Sequence, residues 1–436
     1  MPIRVIESKE RLFEALLGLA PLCSLCFLVM VYVLRTRCEP FGVEKTKTNQ
    51  TISQSDNQTI ERETSMSSLN YPTYASIGVR SLINCKGTLT MYGGSLMLPE
   101  VRQAMTEAAQ GYVQMEELVE RAGERIGEIM QAEFGLITGG CAAALCQITA
   151  GSVAGTDPEK IKRLPDTSGM KNEVITLKSH RHAYDHAIRM VGITLIEVDS
   201  AKTMKAAINH RTALIALFGD REGNSEMTVH EIVDIAHAHD IPVLVDAAAE
   251  RPDVPNPYLS DGVDAVAYSG GKCLRGPQAA GLVLGRRDLL WAAFINGAPH
   301  HSIGRPMKAG KEEIMGLLAA VEQWVKRDHE ADWKQWEGYL QIIIDAISML
   351  PTVQTTIRQP GRSNVAPVLE ITWDQTAINI SPQDVARHLS ESDPRIELIG
   401  GDRGLSIMSY MMEPGDDAVV AGRLCEVLGE GVGRDD

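Results

Sequence analysis

From Tyr71 onward, two hydrophobic periodicities alternate along the chain. Short, nearly continuous apolar runs occupy Phe134 to Thr138, Glu173 to Leu177, Thr194 to Val198, Ala213 to Phe218, Pro242 to Val245, Val263 to Tyr268 and Ala280 to Leu284. Runs of this length without polar interruption predict strands buried on both faces. Stretches with helical spacing lie between most of them: Cys141 to Ala154, Tyr184 to Val191, Ala201 to Ile208 and Thr228 to His239. The alternation predicts an α/β fold with a mostly parallel seven-stranded sheet covered by helices. Two helices lead into it. Pro99 opens the first, through Gln110, because proline lacks the N–H that a first turn leaves unpaired. The second runs from Met115 to Gln131.

Beyond the sheet, Arg286 to Ala293 reads as a helix, and residues 311–350 read as one long amphipathic helix linking two domains. Shorter strands follow at Val353 to Arg358, Val368 to Trp373, Ile396 to Ile399 and Leu405 to Met411, with helices at Ser381 to Ser390 and Asp416 to Leu428. The expected organisation is therefore a large domain over 69–310, the linking helix, and a small α+β domain over 351–436. Residues 1–68 form an N-terminal extension. Within it, Leu16 to Leu34 carries no charge and has the length of one membrane span. Residues 43–68 are a polar, Thr/Ser/Asn/Gln-rich linker. The extension is either a membrane anchor or a misplaced start preceding Met66; flanking charges do not orient it.

The formal net charge of -15 argues against broad contact with nucleic acid, which needs a basic footprint. The eight cysteines show no paired zinc spacing, and those of the globular part read as reduced thiols of a cytoplasmic catalytic domain. His180, His182 and His186 lack metal-ligand spacing, so no metal site is expected.

Ligands of a parallel sheet bind beyond the carboxyl ends of its strands. The residues found there carry the candidate chemistry. Gly139, Gly140 and Cys141 end the first strand and open a helix whose N-terminal N–H groups favour an anion. His180 and His182 follow the second strand, where a flat ring could stack on a heteroaromatic group. Asp246 ends an all-apolar strand, which is costly unless it meets a cation. Lys272 sits on a glycine turn after Ser269, and a desolvated lysine at a strand end suits Schiff-base chemistry.

This order resembles the pyridoxal-phosphate enzymes of the aspartate-aminotransferase fold (fold type I). The particular resemblance is to the selenocysteine synthase (L-seryl-tRNA(Sec) selenium transferase)-like family and its tRNA-free, D-glucosaminate-6-phosphate ammonia-lyase-like members. It is carried by Ile83-Asn84-Cys85-Lys86-Gly87-Thr88, Gly93-Gly94-Ser95, Val245-Asp246-Ala247-Ala248, Ser269-Gly270-Gly271-Lys272, Gly276-Pro277-Gln278-Ala279-Ala280-Gly281 and Arg305-Pro306-Met307-Lys308 with Lys311. The resemblance implies pyridoxal 5'-phosphate as cofactor, bound covalently by Lys272, with Asp246 on the ring nitrogen. It implies Gly139, Gly140, Cys141 and Ser269 at the phosphate and His182, or else His180, against the ring. Arg275, Arg305 and Lys308 are candidates for a substrate carboxylate or phosphate.

The implied activity is α,β-elimination of ammonia-lyase type on an amino acid or phosphorylated amino-sugar acid, in a homodimer or higher homo-oligomer. One alternative is a transferase acting on seryl-tRNA, which the acidic balance disfavours. The other is a non-catalytic, membrane-tethered homologue.

Overall fold

The computed structural model describes residues 71–219, 225, 227–363 and 365–432. The apolar run 16–34, the linker 43–68 and Met66 lie outside these residues. No helix among the described residues is long and apolar enough to cross a membrane.

A short strand, β1 (Leu82–Asn84), precedes α1 (Pro99–Ala109) and α2 (Met115–Met130). The central unit then runs β2 (Phe134–Thr138), α3 (Cys141–Ala154), α4 (Pro158–Arg163), β3 (Glu173–Leu177), α5 (Asp185–Arg189), β4 (Thr194–Val198), α6 (Ala201–Ala207), β5 (Thr212–Phe218) and α7 (Val229–His237). It continues through β6 (Val243–Asp246), α8 (Pro257–Ser260), β7 (Ala265–Ser269), β8 (Gly281–Gly285) and α9 (Arg287–Ile295). After α10 (Lys311–Trp324) and α11 (His329–Ile347) come β9 (Gln354–Arg358), β10 (Val368–Thr372), α12 (Pro382–Glu391), β11 (Arg395–Glu397), β12 (Ile399–Gly400), β13 (Leu405–Met408) and α13 (Asp416–Gly431).

Seven strands form the central sheet in the order β2-β8-β7-β6-β5-β3-β4. Only β8 runs against its neighbours, pairing antiparallel with both β2 and β7. The apolar runs of β2, β3 and β6 are buried at every position, as a sheet covered on both faces requires. Registration places Phe218 of β5 beside Asp246 of β6, and Asp246 beside Ala267 of β7. Three strand ends thus meet at one edge.

Residues 311–350 are two helices where periodicity predicts one. Asp328 breaks the stretch because its carboxylate accepts the Ala331 N–H and so caps α11, while Arg327 pairs with Asp332 at 2.7 Å. Side-chain periodicity continues across this break, which is why the pattern hides it.

A second core lies apart from the sheet. It gathers Tyr339, Leu340, Ile343 and Ile347 of α11 with the inward faces of β10, β13 and α13. Ile83 and Cys85 join it, and β1 pairs in parallel with β11. Leu82–Asn84, for which the sequence predicts no strand, is therefore a strand of the C-terminal layer.

Candidate active site

The turn from β2 into α3 is built for close backbone approach. Gly140 adopts φ +112° and caps α3 without any side-chain bond, so the first N–H groups of this 14-residue helix stay uncapped. A Cβ added to Gly281 would come within 2.5 Å of the Gly140 carbonyl carbon, and one added to Gly139 within 2.6 Å of the Met307 oxygen. Glycine is thus required at 139 because the segment 305–308 lies against it, and at 281 because β8 begins there. The result is a small-walled cradle with the positive end of a helix dipole at its base.

Asp246 ends β6 and is 3% exposed. Its Oδ1 accepts the Ala248 N–H at 3.1 Å and the Cys141 thiol at 3.4 Å. Its Oδ2 faces His182 Nε2 at 3.9 Å. Burial pushes this carboxyl above the ordinary range, against the opposing pull of His182, the Ala248 N–H, the Cys141 thiol and the charge of Lys272. Burial likewise holds the Cys141 thiol well above its usual value, so it stays protonated and donates.

Lys272 lies on the turn between β7 and β8. Gly270 N–H donates to the Ala280 carbonyl at 2.8 Å and Gly276 N–H to the Gly270 carbonyl at 2.9 Å, closing the turn. The turn is also clasped from outside, where Ser95 N–H donates to the Gly271 carbonyl at 3.0 Å. Lys272 itself is half-buried; its carbonyl accepts the Arg275 N–H at 2.9 Å, while its amine, among the described residues, makes no hydrogen bond or ion pair. Its charge acts on both Asp246 and Cys141. Ser269, half-buried, stands just before the turn and opposite Gly281.

The two histidines part company. His180 is buried and its Nδ1 accepts the Phe218 N–H at 3.1 Å, which commits it to the sheet edge. His182 stacks on the Phe218 ring with centroids 4.4 Å apart at 19° and sets its Nε2 between Asp185 Oδ1, at 3.6 Å, and Asp246 Oδ2, at 3.9 Å. Both histidines line one small cavity with Asp185 and Asp246.

The three candidate substrate cations also separate. Arg305 and Lys308 are exposed, without ion pairs among the described residues, on the segment packed against Gly139. Arg275 instead turns away from Lys272 toward the C-terminal layer, 3.6 Å from Glu413. Periodicity misses Phe218, since an aromatic in an apolar run reads as core, and it misses Ser95. The registration of Phe218 with Asp246 is the feature that could have found the first. No group of three or more potential metal ligands occurs among the described residues.

Residues 113–413 match the family described as aminotransferase class-V. The chain belongs to the aminotransferase class-V family. Within this class-V family, one similar protein is "D-glucosaminate-6-phosphate ammonia lyase" of Salmonella typhimurium, 30% identical over 78% of this chain and 90% of that one. A second is "5'-C-glycyluridine monooxygenase-decarboxylase" of a Streptomyces species, 29% identical over 74% of this chain and 83% of that one. The solved structure of a D-glucosaminate-6-phosphate ammonia-lyase superposes with a TM-score of 0.73 at 28% identity, covering 83% of this chain and 100% of the other. L-Seryl-tRNA(Sec) selenium transferases match further away, one at 25% identity over 68% of this chain.

The class-V fold with its seven-stranded sheet and smaller C-terminal layer is that of fold-type I pyridoxal-phosphate enzymes, and pyridoxal phosphate is the cofactor. The residues present fit it. An unengaged amine, a buried acid with one oxygen left facing the site, and an uncapped helix N-terminus match the aldehyde, ring nitrogen and phosphate of that molecule.

Proposed function

We propose that this class-V enzyme is a lyase catalysing α,β-elimination, with ammonia release, on an amino acid or phosphorylated amino-sugar acid. The observation that carries the reading is the placement of the free Lys272 amine close enough to the buried Asp246 for its charge to act on that carboxyl, at one sheet edge. The 30% identity to an ammonia lyase supports the reaction class.

Pyridoxal phosphate, when bound, supplies an electron sink for the pair left as a Cα–H bond breaks. Lys272 would hold the cofactor through its amine and would serve as the base for the α-proton. A half-buried amine with no partner is free for both tasks. Asp246 would hold a proton on the ring nitrogen; its Oδ1 is occupied by Ala248 and Cys141, which leaves Oδ2 for that task. Gly139, Gly140 and Cys141 offer backbone N–H groups to the phosphate, and Ser269 its hydroxyl. His182, held by Phe218, covers a ring face and is the candidate acid for the leaving group. Arg305 and Lys308 take the substrate's carboxylate or phosphate.

The test is an absorption spectrum followed by a screen for ammonia release from phosphorylated amino-sugar acids and β-substituted amino acids. Lys272→Ala is expected to abolish both the visible band and turnover. A band that persists in Lys272→Ala overturns the assignment. Retention of seryl-tRNA on a filter, falling steeply with salt, would favour a transferase instead.

A further inference from the structure

Behind the Lys272 turn lies a cavity of about 230 Å³ that none of the residues assigned to the cofactor lines. Its walls come from the turn itself (Cys273, Arg275), from Arg251, from the α10–α11 junction and from residues 410–414 of the C-terminal layer. Four aromatic side chains face it: Trp324, Trp336, Tyr339 and Tyr410. So do three guanidinium groups, from Arg251, Arg275 and Arg327, against two carboxylates, Asp332 and Glu413.

The three arginines are not equally committed. Arg327 is spent: Nε and Nη2 bind Asp332, and Nη1 donates to the Cys273 carbonyl. Arg251 hydrogen-bonds through Nε alone, to Asp253 at 3.1 Å, and its guanidinium lies over the Trp324 ring, 5.5 Å from the centroid. Arg275 uses only Nε, on the Leu96 carbonyl at 2.9 Å, and its nearest carboxylate, Glu413, stands 3.6 Å from Nη2, beyond hydrogen-bond reach. Among the described residues, the Nη groups of Arg251 and Arg275 therefore retain unused N–H donors.

Arg275 is also strained. It holds φ at +54°, the left-handed region that residues with a Cβ avoid. Such an outlier persists where the surroundings over-determine it, and its use is to aim a side chain. Burial pushes the pKa of this guanidinium down, and the nearby charge of Arg327 adds to the effect, only partly offset by Glu413. His329 cannot supply an acid. Its Nε2 bonds the Trp324 carbonyl, and burial together with Arg251 and Arg327 pushes its pKa down, so it stays neutral. A half-buried cation with spare donors and one loose, exposed carboxylate partner is poised to exchange that carboxylate for a ligand.

We infer that this cavity is a second ligand site, taking a small molecule that carries a phosphoryl group, bound by the Nη donors of Arg251 and Arg275 between the aromatic walls. Guanidinium forks match phosphoryl oxygens, and the aromatic faces suit the body of a small ester. The incoming anion replaces Glu413, which moves out to solvent. Arg275 is three residues from Lys272 on the same closed turn, so occupancy bears on the position of the reactive amine. The site is independent of the proposed elimination and stands whether or not that reading holds.

Tryptophan fluorescence reads it directly, because Trp324 and Trp336 line the cavity. The holoenzyme is titrated with inorganic phosphate and, separately, with glucose 6-phosphate, at constant ionic strength set by chloride. A saturable change is expected. It should weaken at least tenfold in Arg251→Gln and in Arg275→Gln and persist in Arg305→Gln, which lies on the far segment. Glu413→Gln should bind more tightly, since it removes the competing carboxylate without touching the arginines. Tighter binding of the sugar ester identifies an ester as the ligand class, and equal binding identifies free phosphate. A non-saturating response, one unchanged in Arg251→Gln and Glu413→Gln, or one lost in Arg305→Gln overturns the inference.

Discussion

Asp246 is the residue on which the site's electrostatics turn. A carboxyl at the end of a fully buried strand is held above its ordinary range by desolvation, and a protonated ring nitrogen is the charge that would bring it back. Asp246→Asn keeps the shape and removes the charge. Breaking one side of such a buried pair costs about 3 kcal/mol, so cofactor affinity and turnover are each expected to fall by roughly 100-fold. Equilibrium dialysis of the cofactor and ammonia-release rates check this; an affinity within twofold of the parent would contradict it. The sequence made Asp246 and Lys272 conspicuous because each is the wrong residue type for its surroundings: an acid closing an apolar strand, an amine on a glycine turn. It did not separate His180 from His182. Two residues apart where a 3-10 turn ends, His180 inside it and His182 just beyond, they leave no distinguishing mark in the sequence, and it took the Phe218 N–H to claim one of them. The destination of Arg275 was hidden for a similar reason, because a positive φ at a non-glycine residue leaves no mark in composition.

Among the elements, the pairing of β1 with β11 carries a buried charge cluster. Glu397 Oε2 meets Lys86 at 2.8 Å, while its Oε1 accepts from Ser390 and Arg395, each at 2.8 Å. Burial raises this carboxyl, but Lys86, Ser390 and Arg395 together outweigh it and bring the pKa down to about 2. The unfolded chain releases this proton near 4.5, so between these values the unfolded state binds more protons and stability rises with pH. The contribution is fully present above about 4.5 and is lost as pH falls through about 2. Glu397→Gln is expected to cost about 2 kcal/mol near neutrality and to flatten the acid limb of the stability curve over that window. Urea denaturation across pH measures both, and an unchanged acid limb would refute the account. The strands of the central sheet and its longer helices were legible because each repeats one periodicity from end to end; the short α4 and α8 were not, since neither is long enough to show one. β1 was not. Three residues are too few to show alternation, and their partner lies more than three hundred residues away. The break between α10 and α11 escaped because only a capping aspartate marks it.

At the scale of the whole molecule, exposed large apolar side chains concentrate in one stretch, residues 71–113. Tyr71, Tyr74, Ile77, Leu89, Met91, Leu96, Tyr112 and Val113 all face outward, with Tyr74 at 73% and Met91 at 77% exposure. A stretch this apolar on the outside marks a contact surface, and we propose that a second copy of the chain covers it. Light scattering on a sizing column is expected to give twice the chain mass, and Tyr74→Asp with Met91→Asp to shift the species toward one chain. A monomer in the parent protein would remove this proposal. The β1–β11 pairing has a further consequence at this scale. Residues 85–96 leave β1 and reach the Lys272 turn through Ser95, while Thr88 is bonded to Tyr410 at 2.8 Å. This one segment is therefore a strap between the C-terminal wall and the turn that carries the reactive amine, so a tilt of that wall would be felt at the amine through the strap.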